Sequence, residues 1–168
     1  MKKSILLILA LVLALGCLAA CGKTDGAAPT DVPTSTPAES VDLNAFWDEQ
    51  SGKYDVPDMT EMNDELLESY YPGLKDIAVK QLVVKVPMMS SVVSEYVFVE
   101  CESDADAAAV QEILQKRVDD QAGGGAWYPD SVENWGKAQV VVNGSYVAMI
   151  AAGDNTEAIV SDWNALTK

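Results

Sequence analysis

Apolar and polar positions follow one another along this chain in three rhythms, and each rhythm predicts a different kind of element. The first is a plain run. Ile5 to Leu15 is unbroken apolar sequence behind the basic start Met1-Lys2-Lys3. A membrane span needs about 20 apolar residues, so this run is short for one and reads as the core of an export signal. Leu18-Ala19-Ala20-Cys21 follows it. Small residues directly ahead of a cysteine mark a lipoprotein signal, with cleavage before Cys21 and a diacylglycerol on its thiol. Cys17 fits less well, because Ala14-Leu15-Gly16 puts Leu15 where a small residue belongs.

A second rhythm, of period two, predicts strands. Leu82, Val84 and Val86 share one face of Ile77–Val86, which Pro87 ends. In Val92–Cys101, Val97, Val99 and Cys101 share one face, and Tyr96 and Phe98 share the other. Pro87-Met88-Met89-Ser90-Ser91 joins the two as a hairpin-type connection. Gln139–Val142 and Ser145–Ala152 flank Asn143-Gly144, a dipeptide that accepts the positive φ of tight hairpin turns.

The third rhythm is helical. Leu43–Trp47 predicts a short helix. Asp58–Tyr71 predicts a second, with Met62, Leu66 and Tyr70 on one face, a cap at Thr60 or Asn63, and Pro72-Gly73 as its stop. Ser103 followed by Asp106 opens a long helix by a capping-box pattern. Its face of Ala107, Val110, Leu114, Val118 and Gln121 runs to Gly123-Gly124-Gly125. Ile159, Trp163 and Leu166 stripe a last helix that starts at Asp154 or Thr156. Between them, Ala126–Lys137 reads as a loop packed onto the body. The order is β-β-α-β-β-α after one or two short N-terminal helices. This predicts an α+β fold, an antiparallel sheet of about four strands with helices packed on one face.

Composition divides the chain further. Pro29, Pro33 and Pro37, interleaved with Thr and Ser, lack the apolar surface to offset ordering entropy. Residues 1–20 are therefore expected to be a signal peptide, 21–40 a disordered tether and 41–168 a single domain. Removing residues 1–20 leaves 148 residues and, with Lys2 and Lys3 gone, moves the net charge from −15 to −17. So acidic a chain repels nucleic acid. The partners expected are the membrane, through the lipid anchor, and a protein or cell-wall component on the extracellular face of the cell membrane.

Histidine is absent, which removes Ser-His-Asp and Cys-His catalysis and imidazole zinc sites. With Cys17 cut away and Cys21 lipidated, Cys101 is the one remaining thiol, and it ends an apolar run like a buried small hydrophobe. No cofactor and no metal are expected.

Several short pieces, taken in order, resemble a known family. They are Pro57-Asp58-Met59 with Met62-Asn63-Asp64-Glu65-Leu66 and Tyr70; Val86-Pro87-Met88-Met89 followed by Ser94-Glu95; Val110 through Lys116-Arg117; Tyr128-Pro129-Asp130; and Gly144-Ser145-Tyr146-Val147. Together they resemble the small lipoproteins of Gram-positive bacteria that carry the domain of unknown function 4358, over roughly Leu43 to Trp163. The Gly123–Gly125 run departs from the longer polar helix end of that pattern. The resemblance implies architecture and compartment, and brings no activity with it.

Three constellations carry candidate chemistry. Glu102, Asp104 and Asp106 lead into a helix, unlike an EF-hand loop with its glycine and distal glutamate, so dipole-matched capping is expected there and at Asp154-Asn155-Thr156-Glu157. Glu95 lies in an apolar strand pattern. Desolvation would raise its pKa and make it an acid, while a solvent-facing or backbone-bonded carboxylate would leave it structural. Met88 and Met89 form either an adaptable binding patch or core filler under the Trp127–Trp135 loop, and Trp127, Tyr128 and Trp135 form either a stacking surface for a sugar ring or a plug at one end of the core. The reading that follows is a tethered binding or interaction module. The alternative is a carboxylate-dependent hydrolase acting on cell-wall glycan or peptide.

Overall fold

The computed structural model describes residues 41–168. The expected signal peptide, the lipidation site Cys21 and the tether lie outside the described residues. In chain order the elements are α1 (Leu43–Lys53), β1 (Met59–Glu61), α2 (Asp64–Tyr70), β2 (Val79–Pro87), β3 (Glu95–Cys101), α3 (Asp104–Asp120), α4 (Pro129–Trp135), β4 (Gln139–Asn143), β5 (Tyr146–Ala151) and α5 (Thr156–Leu166). Short 3-10 turns occupy Leu74–Asp76 and Gly153–Asn155, and a π turn occupies Gln121–Gly125. No helix among the described residues is long and apolar enough to cross a membrane.

The strands pair antiparallel in the order β1-β2-β3-β5-β4. The sheet thus has five strands where about four were expected. The extra one, β1, comes out of the stretch read as the start of a helix. Its three residues pair with Pro87, Val86 and Lys85, and Glu61 meets Lys85 at 2.6 Å. Long-range pairing overrides helix propensity there. The helix begins only at Asp64, where the Asn63 side chain accepts from Leu66 N–H. Its buried residue is Leu67, while Leu66 is exposed.

Helices cover both faces of this sheet, which corrects the expectation of one. Period-two alternation sorts the strand residues. Val84, Val86, Val97, Val99, Val147 and Met149 face Leu67, Tyr71, Val110, Leu114 and Trp135. Val83, Tyr96, Phe98, Ala148 and Ile150 face Leu43, Phe46 and Trp47 of α1, and Ile159 and Trp163 of α5. Every residue of β3 is buried, as a central strand between two helix layers requires. Gln81 ties the start of α1 to the sheet. Its amide donates to Val41 O at 2.7 Å and accepts from Leu43 N–H at 3.2 Å.

The β4–β5 hairpin forms where Asn-Gly predicted it, one residue later. Asn143 pairs with Tyr146, so Gly144 and Ser145 make the turn, with Gly144 at φ 58°. The expected loop Ala126–Lys137 contains α4. Pro129 fills its first position, where the missing N–H costs nothing. The Ser103 cap forms as expected, its hydroxyl accepting from Asp106 N–H at 3.2 Å. At the last helix, Asn155 makes no side-chain cap. Asp154 instead meets Lys137 at 2.9 Å, and the Thr156 hydroxyl accepts from Ala152 N–H.

Candidate functional site

Three helix ends converge over the first residue of β3. Glu95 projects on the same face as Val97 and Val99. The last turn of α3 brings Arg117 opposite it, continuing the buried stripe Val110–Leu114–Val118. Tyr70 and Tyr71 come from the end of α2, where Gly73, at φ 86°, turns the chain away. Trp135 comes from the end of α4.

These side chains form one bonded group. Arg117 grips Glu95 with two parallel bonds, Nε to Oε1 at 3.0 Å and Nη2 to Oε2 at 2.9 Å. Tyr71 Oη donates to Oε1. The guanidinium lies over the Tyr70 ring at 4.3 Å and the Trp135 ring at 5.3 Å, within cation–π range of both. Burial, then the nearby Glu95 charge, hold the Tyr71 phenol well above its ordinary pKa, so Tyr71 stays a donor. For Arg117, burial works against the charge, but hydrogen bonding and coulombic attraction from Glu95 outweigh it and the pKa is raised. Glu95 is 3 % exposed. Its bonds run to side chains, which neither the acid reading nor the backbone-bonded reading anticipated.

Above this group opens a cleft of about 640 Å³. Glu95, Arg117 and Trp135 line it, together with Met88, Ser90 and Val92 from the end of β2 and the connection after it, and Gly125–Tyr128 from the segment before α4. Ser131 Oγ donates to Ser91 O at 3.1 Å and ties α4 to the β2–β3 connection. The segment before α4 follows the π turn, in which Ala126 N–H bonds to Gln121 O at 3.2 Å. Gly125 is tightly held there, since a Cβ on it would lie 2.6 Å from Asp120 O.

The five expected binding-surface residues divide. Met88, Met89, Trp127 and Tyr128 are exposed, Trp127 at 90 %. All but Met89 line the cleft; Met89 is its neighbour in the β2–β3 connection. Trp135 is 5 % exposed. It belongs to the core, because helical geometry in α4 turns it inward under Arg117. Sequence reasoning missed Arg117 and Tyr71 as members of the group. One cue was present: Arg117 is the only arginine in the chain and falls on an apolar helix face, where a charge needs a buried partner.

Among the described residues no group of three His, Cys, Asp or Glu side chains is arranged to hold a metal ion. Cys101 is fully buried, and burial, with Asp106 and Glu100 adding to it, pushes its thiol from 9.0 to about 11. Tyr71 and Tyr96 are raised too, both chiefly by burial. All three groups hold their protons more tightly folded than unfolded. The stability they contribute is complete below their unfolded pKa values and is lost as pH climbs toward the folded ones. Urea midpoints should therefore be flat to about pH 8 and fall from about pH 9 upward. Cys101→Ala should make that fall shallower; an unchanged slope would refute the role of the thiol.

No curated protein and no solved structure matches this chain. Residues 52–152 match the family described as Domain of unknown function (DUF4358). That span is narrower than the resemblance seen in sequence. It leaves out α5 and nearly all of α1, and contains every residue that lines the cleft. With well over half its length matched, this chain belongs to the DUF4358 family.

Proposed function

We propose that this chain is a membrane-anchored lipoprotein of the extracytoplasmic face, and that its domain is a binding module with the cleft as its ligand site. One observation carries the second half. Of the six exposed large hydrophobic residues in the described chain, Met88, Trp127 and Tyr128 line one cleft, and Met89 is the chain neighbour of the first. Single exposed apolar residues are ordinary, whereas a cluster beside a concavity is characteristic of recognition. The first half rests on the Ile5–Leu15 run and Leu18-Ala19-Ala20-Cys21.

The hydrolase alternative draws no support from the cleft. Glycoside hydrolysis needs two carboxyl groups about 5–9 Å apart, one of them a proton donor. Glu95 is the one carboxylate that lines the cleft, and both its oxygens accept bonds from Arg117 and Tyr71.

Tryptophan footprinting tests the cleft. Trp127 is 90 % exposed, while Trp47, Trp135 and Trp163 are all under 10 %. N-bromosuccinimide should oxidise Trp127 first, and a cell-envelope extract should protect it. Oxidation at the same rate with and without extract would overturn the cleft as the ligand site. For the anchor, Cys21→Ala should release the protein from the membrane fraction or leave it unprocessed. An unmodified cysteine in the mature protein, found by mass spectrometry, would overturn that half alone.

A further inference from the structure

We infer that the cleft takes a neutral glycan, with a sugar ring seated on Trp127 and a ligand oxygen accepting from Nη1 of Arg117. The inference rests on the cleft being a binding site and adds the class of ligand. Charge is the first argument. The chain carries −15, and the two formal charges lining the cleft, Glu95 and Arg117, neutralise each other through two hydrogen bonds. An anionic ligand meets the repulsion of the whole molecule. A cationic one finds no free carboxylate in the lining.

Donor geometry is the second argument. Arg117 spends Nε and Nη2 on Glu95; Nη1 makes no hydrogen bond among the described residues and is not a buried orphan. The Tyr70 and Trp135 rings and the Glu95 clamp fix the guanidinium in place, so a donor is held ready at little entropic cost. Ser69 and Ser90 add hydroxyls to the lining, which suits a ligand rich in hydroxyl groups. The exposed indole of Trp127 supplies the matching apolar part. Its negative π face attracts the polarised C–H face of a sugar ring.

A peptide is the competing occupant. Val86 and Pro87 pair with Thr60 and Met59, and Glu95 pairs with Ala151, while the pairing of β2 with β3 stops at Lys85 and Tyr96; peptides commonly add to a free strand edge, so a peptide probe belongs in the test.

The full-length protein in detergent micelles should be titrated with triacetylchitotriose, the deacetylated trimer, and tetra-alanine, following the heat of binding by isothermal titration calorimetry. The acetylated trimer should bind saturably, the other two should not, and Trp127→Ala should weaken binding by roughly tenfold or more. Trp127 is exposed, so this variant keeps the fold. Binding of the acetylated trimer that ignores Trp127→Ala, equal binding of the deacetylated trimer, or no binding of any probe would overturn the glycan assignment. Trp127-dependent binding of tetra-alanine alone would overturn it too, while leaving the cleft a ligand site. Failure of the footprinting protection would remove the cleft itself.

Discussion

Arg117→Met should destabilise the domain by about 3–5 kcal/mol, the usual cost of leaving a buried charge without its partner. The carboxylate of Glu95 is 3 % exposed and would keep only the Tyr71 hydroxyl. Methionine nearly fills the lost volume, so the cost reads the stranded charge more than a cavity. The pair also makes a sharper test possible. Glu95→Gln in the same chain removes the stranded charge, and the double variant should recover most of the loss. Urea midpoints of the two single variants and the double variant form a complete cycle. Additive losses would mean that the two side chains act independently, contrary to their two-bond geometry.

Trp163→Ala should cost a similar amount, about 3–5 kcal/mol, by a different route. Trp163 is fully buried, stacks on Phe98 at 5.4 Å and meets Phe46 edge-on at 5.5 Å. Truncation to alanine opens a cavity between two helices and the sheet. Trp163→Phe should be much milder, because Nε1 of the indole is buried without an acceptor among the described residues. Removing that unpaired N–H offsets part of the lost packing. If phenylalanine proves as damaging as alanine, the indole nitrogen has a role that its unbonded geometry does not reveal. Trp163 lies outside the span matched to the family, so the result also measures how far the shared part depends on the helix that follows it.

Much of the fold was legible in the sequence. The two-residue alternation in β2 and β3 and the Asn-Gly turn place four strands within a residue or three of their observed ends. The strand β1 was not legible, because three residues are too few to show a period and its partner is 24 positions or more away. The helix α4 was hidden by its own aromatic and proline content, although Pro129 is a good first residue of a helix. Tyr96 and Phe98 on the second face of β3 were read correctly, but their consequence, a second helix layer, was not drawn. At the cleft, Met88, Met89, Trp127 and Tyr128 were named from their types alone and are exposed, while Trp135, named with them, is buried. The Glu95–Arg117–Tyr71 group was not identified, because it joins three elements that no local pattern connects.

The strand β4 ends the sheet with Gln139-Val140-Val141-Val142-Asn143, a half-buried segment without a single charge or proline. Among the described residues its outer side is an open row of backbone donors and acceptors, the kind of edge that invites another chain to add to it. Many proteins blunt such an edge with a lysine; this one carries −15 over the whole molecule instead. Long-range repulsion between copies then acts as the gatekeeper, and it is a conditional one. Salt shortens its reach and acid removes it. The colloidal stability of this domain therefore belongs to its surroundings as much as to its sequence. Dilute neutral buffer keeps the molecules apart, and concentrated salt or acid lets the valine edges meet.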